Sequence, residues 1–168
     1  MGSLVRRLTR SPRRFPSALP LAAIGLFTTF CLATPAHAAS DVEAVPTPEA
    51  LAQLELRASQ ANPREQCFLY TELVHSMTIK AGQELSDGET DQATVTLKQV
   101  NRYAHLIHLD LARDTKRLKD AQVLMHRTTY RLGQYLHLLS GDDQQTVQST
   151  LKQLDQVNDE LLNQVFQH

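Results

Sequence analysis

The 105 residues that follow Pro63 contain no proline and only four glycines, Gly82, Gly88, Gly133 and Gly141. All seven prolines of the 168-residue chain lie at or before Pro63. So few breakers cannot supply the frequent turns of a β-sandwich or barrel. The same scarcity excludes a collagen-like or proline-rich disordered chain. What remains is helix. Apolar residues recur at spacings of three and four, the period at which one helix face repeats.

Four helical segments follow from start and stop signals. Thr47-Pro48-Glu49 joins a hydroxyl cap, a proline at the first helical position and an acid at the positive end of the helix dipole. The first helix is expected from Pro48 to Ala61. Asn62-Pro63-Arg64-Glu65 repeats the device, with Glu65 placed as in a capping box. The second helix runs to about Leu85, where Ser86-Asp87-Gly88 turns the chain, and Tyr70, Leu73, Val74, Met77 and Ala81 form its apolar face. Alternatively, the first two helices form one rod kinked at Pro63.

From Glu89 to Leu139 a stripe runs without a slip through Leu97, Val100, Ala104, Ile107, Leu111, Asp114, Leu118, Ala121, Met125, Thr128, Leu132 and Tyr135. Unbroken phase favours one continuous helix, because a loop has no reason to preserve register. After Ser140-Gly141-Asp142-Asp143, in which Asp142 or Asp143 is placed to cap, a last helix reaches Phe166. The expected fold is all-α: an elongated antiparallel helical bundle with a long central helix between helices one plus two and the last. The alternative is a compact up-down four-helix bundle with a bend near Asp114. Thr96-Leu97-Lys98-Gln99-Val100 is echoed 54 residues on by Thr150-Leu151-Lys152-Gln153-Leu154. The echo reads as common surface-helix vocabulary in preference to a duplicated hairpin.

The N-terminus carries an address. Arg6 to Arg14 is basic, Leu19 to Leu32 is mostly apolar, and Ala36-His37-Ala38 offers the small side chains that a signal peptidase accepts. Residues 1–38 read as a Sec-type signal peptide, 39–46 as a disordered leader and 47–168 as a single helical domain. An uncleaved anchor is the alternative, but the apolar run is shorter than the roughly 20 residues of a spanning helix. The expected location is periplasmic or secreted, in a bacterium. Without residues 1–38 the chain holds 12 basic against 18 acidic residues, a net −6. That argues against nucleic acid, which needs a basic footprint, and against anionic membrane. Cys67 is then the only cysteine left, which rules out an internal disulfide. It reads as a small buried hydrophobe, with an intermolecular disulfide or a catalytic thiol as lesser alternatives.

Histidine is the one residue type that invites a chemical reading. Glu72 and His75, and His105 and His108, are each three apart, so each pair shares a helix face and has metal-ligand spacing. Dinuclear bundle sites use Glu-x-x-His on two helices, and here there is one. With Tyr70, Leu73, Val74 and Met77 inward, Glu72 and His75 point away from the core, His105 faces outward and His108 lies at the flank. These four remain weak metal candidates, and no cofactor or catalytic residue is assigned. The expected function is that of an exported, non-enzymatic protein acting through protein–protein interaction in the cell envelope, as an adaptor, inhibitor or chaperone-like module. The alternative is a metal- or haem-binding bundle using His105 and His108. Tyr103 to Leu111 is apolar around more than one face, so Leu106 and Leu109 are expected at an association surface for another protein or a second copy.

Overall fold

The structure is a computed structural model that describes residues 43–110 and 115–167. All of them belong to the unit Ser40–His168. The signal peptide expected over 1–38 lies outside the described residues. The described residues form an all-α bundle: α1 (Pro48–Gln60), α2 (Pro63–Ser86), α3 (Thr90–Asp110), α4 (Leu118–Tyr135) and α5 (Gly141–Gln167), with a 3-10 turn over Leu136–Leu138. None of these helices is long and apolar enough to cross a membrane.

The helix starts follow their sequence signals. The Thr47 hydroxyl accepts from the Ala50 amide at 3.2 Å, and the Asn62 side-chain oxygen from the Arg64 amide at 3.0 Å. Each satisfies a donor that the first helical turn leaves open. Glu65 reaches Lys116 Nζ at 3.4 Å, tying the start of α2 to the segment before α4. Ala61 is extended and Asn62 is not helical, and α1 folds back along α2, where Arg57 meets Glu72 at 3.7 Å. The kinked rod is therefore not formed. After α2, Gly88 takes φ +78°, a left-handed conformation that glycine adopts without steric cost. The Glu89 amide then reaches back to the Glu84 carbonyl at 2.8 Å. Helix α5 begins at Gly141, so Asp142 and Asp143 lie inside its first turn, where the dipole favours them.

The expected long central helix is corrected. Helix α3 is described as far as Asp110, and α4 starts at Leu118 after non-helical residues at 115–117. Arg117 has φ +57°, and the Lys116 amide donates to the Arg64 carbonyl at 2.7 Å. The physical reason lies in the sequence Arg113-Asp114-Thr115-Lys116-Arg117, which offers no apolar side chain to bury. The stripe itself is correct on both sides of the break: Leu97, Val100, Ala104 and Ile107 are buried in α3, and Ala121, Met125, Thr128 and Leu132 in α4. Two helices share one phase because each faces the same core, not because the helix continues.

The central element is instead α2, which packs against α1, α3 and α4, while α5 packs against α3 and α4. Helices α2 and α3 form one antiparallel hairpin, and α4 and α5 another. The hairpins lie side by side with like helices parallel. His75 faces Thr128, 53 residues on, and Asn101 and Gln153 are in contact at a separation of 52. The 54-residue echo thus falls on α3 and α5 in nearly matching register, and the arrangement is that of a doubled hairpin.

Candidate functional site

Helix α2 carries a second stripe that its apolar residues hide. Thr71, His75, Thr78 and Gly82 share one face, and all are buried. The threonine hydroxyls are satisfied locally: Thr71 donates to the Cys67 carbonyl and Thr78 to that of Val74, each at 2.8 Å. A hydroxyl that returns its hydrogen bond to the preceding turn can enter a core at little cost. The same face carries His75, only 4% exposed. This corrects the outward orientation expected for His75, which assumed that α2 buries a single face. The missed signal was the small-and-polar repeat itself.

His75 joins three segments. Its Nδ1 lies 2.7 Å from Thr128 Oγ1 on α4, and its Nε2 lies 2.8 Å from Glu43 Oε1. Thr128 Oγ1 also lies 2.8 Å from the Leu124 carbonyl. Arg131 donates to the other Glu43 oxygen at 3.0 Å. Desolvation by burial would raise the Glu43 pKa. The hydrogen bond from His75 and the positive charges of His75, Arg131 and Arg127 outweigh it and hold the carboxyl below its ordinary range. The sign follows: this contact stabilises the fold above the ordinary carboxylate range and is lost as acidification protonates Glu43. Of the leader expected over 39–46, residues 43–46 are described, and Glu43 anchors them. Beside this contact lies a cleft of about 450 Å³ lined by residues including Leu54, Arg57, Glu72, Ser76 and Leu124.

Of the other candidates, Glu72 lines this same cleft, whereas His105 and His108 lie on α3. Glu72 is half-buried and pairs with Arg57. The rings of His105 and His108 are 6.2 Å apart on the α3 surface, beside a groove of about 410 Å³ shared with Ser149, Lys152, Gln153 and Gln156 of α5. His108 Nδ1 is 2.5 Å from Glu160 Oε2. The Glu160 carboxyl lies below its ordinary range: desolvation opposes ionisation, but hydrogen bonds from His108 and Gln156 and the His108 charge prevail. Among the described residues, no three His, Cys, Asp or Glu side chains are grouped to hold a metal ion. Replacing His105 and His108 together by alanine should change stability by less than about 1 kcal/mol in thermal unfolding. A larger loss, or an ion released on substitution, would show a load on this pair that the helix surface does not explain.

Cys67 is fully buried. Desolvation, reinforced by the charge of Asp110, pushes its thiol up to about 12, so it stays protonated and presents no thiolate. Leu106 is half-buried and packs against the core, whereas Leu109, one turn from it, is 55% exposed. Of the tyrosines beside the stripe, Tyr103 is buried and stacks on Tyr70 with ring centroids 6.0 Å apart, and its hydroxyl donates to Glu55. Tyr130 is exposed.

No family model matches this sequence, no curated protein is similar to it, and no solved structure matches its fold. A function must be argued from these residues alone.

Proposed function

We propose that this chain is an exported, non-enzymatic helical protein that acts through protein–protein interaction in the cell envelope. The observation that carries the reading is Leu109, an exposed leucine in the last turn of α3 next to the core-packed Leu106. Removing such an apolar side chain from water favours association. Supporting it, the residue types that elsewhere carry chemistry here join segments together. His75 holds the leader and α4, His108 holds α5, and Cys67 fills the core. The export reading rests on the order of basic, apolar and small residues up to Ala38.

Two measurements test the proposal. The intact mass of exported protein should begin at Ala39, and a mass that includes Met1 to Ala38 would refute cleavage. Light scattering should show self-association, or a heavier complex with a client protein, that Leu109→Glu abolishes without altering helicity. Leu106→Glu is unsuitable alone, because a charge placed against the core would unfold the bundle. If Leu109→Glu leaves mass and client binding unchanged, the interaction reading fails.

A further inference from the structure

The contact between Glu43 and His75 has the form of a ligand in a site. Thr128 Oγ1 lies within hydrogen-bond distance of both the Leu124 carbonyl and His75 Nδ1, so it fixes the ring's position whichever of the two receives its proton. An ionised carboxylate only accepts hydrogen bonds, so Nε2 must carry a proton toward Glu43. His75 is thus oriented by Thr128 and donates through Nε2. Its side chain is 6% exposed, against 37% for Glu43. The donor side is therefore built into the fold, on α2 and α4, while the carboxylate arrives on the segment ahead of the first helix. Arg131 completes a two-point grip, one donor on each carboxylate oxygen. Glu72 of α2, Arg57 of α1 and Arg127 of α4 are the other charged groups around the cleft and Glu43.

We propose that His75, Thr128 and Arg131 form a carboxylate-binding site whose resident ligand is Glu43, so that the leader is an intramolecular strap which another carboxylate can replace. The site recognises a carboxylate on a flexible stem. A short tether supplies its ligand at an effective concentration on the order of millimolar, so a free carboxylate must exceed that to compete. The inference is independent of the Leu109 surface, and either can fail alone.

Chemical rescue tests it. In the full chain labelled with 15N-histidine, the His75 ring resonances are assigned by their loss in His75→Gln. The wild type should show a protected Nε2 proton on His75. Glu43→Ala and the isosteric Glu43→Gln should both lose the Nε2 proton signal while keeping a native amide fingerprint. Sodium propionate at tens of millimolar should restore that signal in Glu43→Ala in a saturable manner, and the wild type, occupied by one carboxylate or the other, should keep its signal throughout. The proposal is overturned if the signal survives both substitutions, or if propionate fails to restore it in a folded Glu43→Ala. Loss of the native fingerprint in both variants would also overturn it, because Glu43 would then be a support of the fold and not a replaceable ligand.

Discussion

Leu73→Ala should lower the unfolding free energy by about 2–5 kcal/mol, the range for a large-to-small change in a core that only partly relaxes. Leu109→Ala, by contrast, should change it by less than about 0.5 kcal/mol. Leu73 is 1% exposed on the helix that has neighbours on three sides, so no single side chain can move in to fill the void. Denaturant titration of the two variants, with the slope checked for constancy, makes the comparison. If α2 were a flanking helix packed on one side only, a void at Leu73 would collapse cheaply. A loss below about 1 kcal/mol would therefore refute the central placement of α2.

Gly82→Ala should destabilise the wild type by about 1–3 kcal/mol, as overpacked core positions do. In a Tyr135→Ala background the same change should instead stabilise by up to about 1 kcal/mol, the ordinary gain of alanine over glycine within a helix. A Cβ built on Gly82 would lie 2.4 Å from the Tyr135 hydroxyl oxygen and 2.5–2.6 Å from the end of its ring. The ring must therefore leave its seat on α2, or α2 and α4 must separate. Reversal of sign between the two backgrounds is the diagnostic, because helix propensity is the same in both. If Gly82→Ala stabilises the wild type as well, Tyr135 does not rest on that glycine.

The local structure was legible because it depends on neighbours in sequence. The caps at Thr47 and Asn62, the stop at Gly88, and the buried stripe of Leu97, Val100, Ala104, Ile107, Ala121, Met125 and Leu132 are set within a turn or two. What periodicity could not convey is how many neighbours a helix has. An apolar face on α2 was visible, but the burial of His75 depends on α4, 53 residues away. The break before Leu118 escaped notice for a related reason. Two helices that face one core keep a common phase across a polar connection, and phase alone cannot separate that case from a continuous rod. The Glu43 site was hidden in a stretch without periodicity, where a lone acid next to alanine and valine gives no sign of what it meets.

The placement of like helices beside like has a consequence for how the chain tolerates changes of length. The non-helical residues 115–117 lie between two hairpins whose internal registers are each closed by their own short turns. A residue inserted before Thr115 would leave every pairing within α2–α3 and within α4–α5 intact. Lengthening such a connection is entropically cheap, about 0.6 kcal/mol for each doubling. One residue deleted within α2 between His75 and Gly82 would instead turn the rest of that helix by about 100°. Gly82 would then leave the ring of Tyr135 while His75 still faced Thr128. Insertions and deletions should therefore accumulate in the joint between the hairpins and be excluded from the helix they enclose.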